Sequence, residues 1–262
     1  MANQVNLAQG IVRILDDSVL DAYNESIKGY NEKARESLGK FSGNNGELAG
    51  SSPLMIIQLV NAGLLPQGTR LATRDDLKNA ILQDAGFLRG NYTDFGLVLR
   101  TAGDSYQNND LLAKRLANQL KKRDIALGKG KLIPLDVLSL AEDSNSAYGV
   151  IIDLKEEAEK SIKDLADFKW NYTIDEGLAC ASLYRSRSWD SGSEHLAVSD
   201  GLGRVVVVSA EGTKNFQQDD LMKEKKELYT SKQIIQAASE IDLNLLRENK
   251  LEDILLRKLR KK

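Results

Sequence analysis

Four consecutive valines, Val205 to Val208, follow the turn sequence Asp200-Gly201-Leu202-Gly203 after a single arginine, Arg204. β-Branched side chains favour a pleated strand, and a turn holding two glycines does not continue a helix. Residues 204–209 are therefore predicted as a strand, joined by a tight hairpin to a second strand over residues 195–199. Whatever else the chain builds, it must provide a sheet that accepts this pair. Reading Gly201-Leu202-Gly203-Arg204 as a phosphate cradle would need a helix after the glycines, and a strand follows instead.

Elsewhere the apolar residues recur at helical spacing. Val5, Ile11, Ile14 and Leu15 fall on one stripe, then Leu20, Tyr23, Ile27, Tyr30, Ala34 and Leu38 on another, with Asp17 or Ser18 as the intervening N-cap. The first forty residues are thus expected to be a helical N-terminal arm. Residues 39–52, with four glycines among serines and asparagines, read as a linker. Ser52 before Pro53 starts a buried helix through Leu65, Thr73 with Asp76 forms a capping box for a helix to Gln83, and a third helix begins near Asn109. Strands are expected over residues 96–101, 132–140, 148–154 and 181–188, with a charged helix over residues 155–168. From about residue 221 the pattern is helical again. The expectation is an α+β fold: a mixed sheet flanked by helices over residues 53–212, framed by the helical arm (1–40) and a C-terminal helical segment (221–262). Asn91-Tyr92-Thr93 and Asn171-Tyr172-Thr173 echo each other too briefly for a structural repeat, and read as shared turn chemistry.

The 36 basic and 38 acidic side chains leave a formal charge of −2, so no global field draws the molecule to nucleic acid or an anionic membrane. The opening residues lack the charged and apolar regions of a signal peptide, and no window reaches the length of a membrane span. With a single cysteine, Cys180, a cytoplasmic location is expected and no internal disulfide or multi-thiolate metal site can form. One histidine likewise excludes a two-histidine metal site, and no phosphate-loop or dinucleotide motif is present. No cofactor or metal is expected.

The remaining chemistry is sparse. His195, assisted by Asp190, Glu194 or Asp200, would serve as a general base if a partner met its imidazole. Cys180, flanked by alanines, reads as a buried thiol rather than a nucleophile. On the strand expected over residues 181–188, Arg185 and Arg187 share one face and would form a fork for phosphate or carboxylate, with Tyr184 or Trp189 as a stacking surface. Basic residues gather at Lys121, Lys122 and Arg123, and at Arg257, Lys258, Arg260, Lys261 and Lys262. They would attract phosphates if they met in space, and they equally suit helix C-termini. The C-terminal helix, with Leu251, Ile254, Leu255 and Leu259 on a narrow stripe, can take a protein partner or pack on its own domain. Acidic Asp164, Asp167, Asp175 and Glu176 have no cation-ligand spacing.

The runs Gly90 to Arg100, Ile133-Pro134-Leu135 and Gly203 to Ser209 resemble a set of uncharacterised archaeal proteins, which implies a cytoplasmic protein and no particular activity. Three functions are therefore expected in order: a non-catalytic binding or protein-interaction module, a nucleic-acid-binding protein using its basic helix ends, and an enzyme acting on a small anionic substrate.

Overall fold

The computed structural model describes residues 4–100, 109–173 and 176–209. All of them fall in one compact unit, Met1–Gly212. In chain order the elements are β1 (Gln4–Leu7), β2 (Gly10–Ile14), α1 (Leu20–Ser26), α2 (Glu32–Leu38), β3 (Ser42–Asn44), β4 (Glu47–Ala49), α3 (Pro53–Asn61), β5 (Thr69–Leu71), α4 (Arg74–Gln83), β6 (Thr93–Arg100) and α5 (Asp110–Lys122). There follow β7 (Lys131–Pro134), β8 (Leu138–Glu142), β9 (Val150–Leu154), β10 (Lys163–Asp164), β11 (Tyr172–Thr173), β12 (Gly177–Leu183), β13 (Trp189–Ser191) and β14 (Val206–Ser209).

The mixed α and β content agrees with the expected class, and several sheets are present. One has four strands in the order β1-β2-β14-β5, and one has six in the order β10-β7-β6-β12-β13-β11. Only the β11–β13 pair of the larger sheet is parallel. Hairpins β3–β4 and β8–β9 are separate two-stranded sheets, and β4 is tied by isolated bridges from Glu47 to Asp16 and from Ala49 to Arg204.

Alternation along the buried strands separates two hydrophobic cores. Leu97, Leu99, Leu178, Cys180, Val205 and Val207 pack with α3, α5 and the α1–α2 helices. Phe95, Val98, Ala181, Leu183, Val206 and Val208 face the other way, into a core with Val5, Val12, Ile14 and Leu77. The valine run is thus buried on both sides.

Two helix starts are as the sequence predicts. Ser52 Oγ accepts from the Met55 amide at 3.4 Å with Pro53 in the first turn of α3. Thr73 and Asp76 form a reciprocal capping box on α4, which ends at Gln83. The buried Asp76 carboxylate also takes a bidentate pair from Arg70, at 2.5 and 3.0 Å, and a bond from Gln9 Nε2 at 3.2 Å. Asp76 therefore ties the β1–β2 turn and β5 to the α4 N-terminus.

Other expectations are corrected. Residues 4–14 are a hairpin rather than helix, because Val5, Leu7, Val12 and Ile14 alternate with outward polar groups and Val5 pairs with Val12. The predicted linker is the β3–β4 hairpin: Asn45 and Gly46, with φ of 54° and 80°, make the left-handed pair of an Asn-Gly turn. Residues 155–168 contain short 3-10 turns and β10, and residues 135–137 interrupt the strand expected there, directly after Pro134. Residues 195–199 are not a strand, so the turn at 200–203 leads into β14 without closing a hairpin. The C-terminal helical segment lies outside the described residues. Among those residues no helix is long and apolar enough to cross a membrane.

Replacing Asp76 with Ala removes the cap and leaves Arg70, Thr73 and Gln9 without their acceptor. We expect urea unfolding to show a loss of about 3 kcal/mol; a loss under about 1 kcal/mol would place the anchor elsewhere.

Candidate functional site

Strand β12 stops at Leu183, and residues 184–188 form the tip of a β12–β13 hairpin, closed by Tyr184 N–H to the Ser188 carbonyl at 2.9 Å and Arg187 N–H to the Tyr184 carbonyl at 2.7 Å. The strand expected over residues 181–188 is therefore half turn, and its one-face arginine pair does not form. Arg187, in the left-handed region at φ 64°, sends its guanidinium to the carbonyls of Ala85 and Phe87. Arg185 instead pairs with Asp200 at 2.5 Å and lies over the rings of Tyr92 and Tyr184. Trp189 is opposite Leu183 in the ladder and packs edge-on against Phe95, with the Arg74 guanidinium 4.5 Å from its ring centre.

The proposed acid–base pair is also separated in its contacts. Asp190 Oδ1 accepts from the Gly192 amide at 2.6 Å. His195 is exposed on a loop, where its carbonyl accepts from the Cys180 thiol at 3.7 Å. Burial first, and the neighbouring Asp94 charge second, push the Cys180 thiol well above its ordinary range, the state of an inert buried thiol. Of the basic cluster, Lys121 and Lys122 are exposed at the end of α5, whereas Arg123 holds the carbonyls of Leu154, Lys155 and Glu156 and pairs with Glu159. Arg257, Lys258, Arg260, Lys261 and Lys262 lie outside the described residues.

What the register does bring together is a polar row that sequence reasoning missed. Asp94 of β6 faces Ser182 of β12, which faces Asp190 of β13. Directly opposed residues of a ladder share one face, so two carboxyls and a hydroxyl point the same way across three strands. A bulge beside Ser182 displaces Phe95 from the pairing and sets this row. Asp94 is 8% exposed and Ser51, just before α3, is fully buried above it. Ser51 Oγ donates to Asp94 Oδ2 at 2.7 Å and accepts from the Asp94 amide at 2.9 Å. Among the described residues Asp94 has no basic partner, and burial, reinforced by Asp190, raises its carboxyl to about 7 despite the Ser51 bond.

From this acid a chain of hydrogen bonds runs to the surface. The Ser51 carbonyl accepts from Tyr92 Oη at 3.2 Å, and Tyr92 Oη accepts from the Asp200 amide at 3.1 Å. Asp200 then holds Arg185, and caps its own turn through the Leu202 amide at 2.8 Å. The turn can lie this close because of Gly203: a Cβ there would stand 2.4 Å from the Ser51 amide nitrogen. Within two residues of Arg185 or Asp200 along the chain, Tyr184, Val198 and Leu202 are 43%, 60% and 42% exposed, half of the large apolar side chains that the described residues present to solvent.

Chemically this arrangement is a buried carboxyl, raised by burial and a second acid, joined by hydrogen bonds to an exposed turn. Among the described residues no three His, Cys, Asp or Glu side chains gather as metal ligands. No family model, curated protein or solved structure matches the chain. The likeness to archaeal proteins finds no support there. The signal available in the sequence was an acid, Asp94, between Thr93 and the apolar run Phe95 to Leu99, together with two serines ahead of Pro53.

The carboxyl of Asp94 keeps its proton in the folded state from the ordinary 3.8 up to about 7. In that window the folded chain binds more protons than the unfolded one, so stability falls as pH rises and the penalty is complete above pH 7. At about 1.4 kcal/mol for each pH unit the span is worth at most about 4 kcal/mol. Asp94→Asn should leave stability unchanged near about pH 4 and raise it by about 2–4 kcal/mol at about pH 8. Parallel urea-unfolding curves for both proteins across that range would show the carboxyl to be ordinary.

Proposed function

We propose that the chain is a non-catalytic binding protein of the cytoplasm that takes a protein partner on the surface formed by Tyr184, Arg185, Val198, Asp200 and Leu202. The observation that carries this reading is the clustering of exposed apolar groups on a fixed support. Tyr and Arg are the side chains most often found at the energetic centre of protein interfaces. Here they stand on a hairpin tip braced by the Asp200 pair and by Tyr92, so little ordering is required on binding. The nucleic-acid reading draws less support, since Arg123 is engaged within the fold. The small-anion enzyme draws less as well, since Arg185 and Arg187 hold separate partners and His195 has no described bond to Asp190.

A photo-reactive phenylalanine analogue placed at position 184 or 202, in the cells that make the protein, should yield a discrete adduct that the same analogue at Leu82 of α4 does not. Leu202→Asp, combined with the analogue at 184, should reduce that adduct at least about tenfold, the loss expected when one anchor of an interface is removed. Equal labelling from positions 184, 202 and 82 would refute the surface.

A further inference from the structure

We propose that the binding surface carries a proton-operated latch: gain or loss of the proton on Asp94 sets whether the 199–204 turn is held in the form that presents Leu202 and the Arg185–Asp200 pair. This deepens the binding reading and rests on it. The geometry is a continuous link between a hidden acid and an exposed turn. Asp94 holds Ser51 through two bonds, Ser51 holds Tyr92, Tyr92 holds the Asp200 amide, and Asp200 holds Arg185. A second strand of the link runs from the Ser51 amide to Ser199 Oγ at 2.8 Å, and a third from the Gly50 amide to the Gly203 carbonyl at 2.9 Å. Both ends of the turn are thus attached to Ser51, which bonds the acid, and to its neighbour Gly50.

The titratable groups around Asp94 supply no positive charge. β13 contributes Asp190, which opposes ionisation of Asp94, while the Cys180 thiol of β12 and the Tyr92 phenol before β6 are both pushed up and stay neutral beside it. Helix α3, whose sequence is Pro-Leu-Met-Ile-Ile-Gln-Leu-Val-Asn, brings no charged side chain. The Arg185 guanidinium at the outer end is already paired with Asp200. An ionised Asp94 therefore has one short route to solvation, which is to let the covering Gly50–Ser51 segment lift and water enter. Lifting that segment withdraws Ser51 from Tyr92 and from Ser199, and loosens the turn, which then keeps only Arg204 and its backbone bonds with Tyr92 to hold it. The neutral acid keeps the cover closed. The device is read by two-state opening of a local segment, with β2 and β14 unaffected.

Hydrogen exchange of the amides over residues 199–204, corrected for intrinsic rates, tests this without any partner. In the wild-type protein their protection should fall about tenfold or more between about pH 6 and about pH 8.5, while the β2–β14 amides keep theirs. In Asp94→Asn, whose amide oxygen can still accept from Ser51, protection should stay level. Level protection in the wild type, or an equal fall in both proteins, overturns the latch. If the variant does not fold, carboxyl-carbon NMR titration of wild-type Asp94 decides: a midpoint shared with the Asp200 and Gly203 amide shifts supports it. A titration that leaves those amides still, or no titration across that range, overturns it. Failure here removes the latch alone, whereas failure of the cross-linking experiment removes the surface.

Discussion

β14 needs a hydrogen-bonded neighbour on each edge, and the fold is arranged to supply both. Its valines are buried on both faces, so an unpaired amide or carbonyl there would be a buried polar group without compensation. β2 and β5 provide the ladders, with Val207 opposite Arg13 on one side and Leu71 on the other. The pairing extends past the strand, since the Val205 carbonyl accepts from Leu15 and the Val206 carbonyl from Ala72. A strand from the far end of the described chain thus lies between two from its beginning. The four-stranded sheet cannot close until residue 209 has been placed, a topology of long-range contacts that folds slowly relative to local ones.

The same constraint positions the candidate site. With β14 fixed, Arg204 at its entrance bonds Glu47 through Nε at 3.0 Å and the carbonyls of Gly201 and Gly203 through Nη1. That brings the preceding turn against Gly50 and Ser51, and Ser51 in turn onto Asp94. The turn is therefore held in three ways: through Arg204 and β4, through the backbone of Tyr92, which donates to the Leu202 carbonyl at 3.2 Å and accepts from the Arg204 amide at 2.9 Å, and through Ser51 to Asp94. Only the last ends on the Asp94 carboxyl, which burial raises to about 7.

Local signals in the sequence were legible where the chemistry is local. A hydroxyl before a proline, or Thr73 and Asp76 at capping spacing, satisfies amides within one turn, and both helix starts appear where those residues put them. The N-terminal strands were misread because Val5, Ile11, Ile14 and Leu15 meet a helical spacing by coincidence, while the alternation that decides the matter is visible only once Val5 is paired with Val12. Asn45-Gly46 was a readable hairpin signal masked by its glycine-rich surroundings. The site was less legible still. Arg185 and Arg187 share a face only if the strand continues, and the turn at Tyr184 to Ser188 rotates them apart. Asp94 joins Ser182 and Asp190 through strand register, which no spacing in the chain records.

Asp76 and Asp94 show why one acid belongs to the scaffold and the other to the site. Both are buried, at 2% and 8% exposure, and both accept from a hydroxyl. Burial alone would raise each. At Asp76, the Arg70 guanidinium and the Thr73 side chain and amide overcome that effect and hold the carboxyl down at about 2, so its charge is fixed across the neutral range. At Asp94, one serine is set against burial and a second acid, and the carboxyl rises to about 7. A scaffold position would be served as well by asparagine, which keeps the Ser51 bond without the cost of an ionisable group. An acid placed against another acid, beneath a segment that leads to the surface, breaks that economy of structure, and such breaks concentrate where a protein acts rather than where it is merely held together.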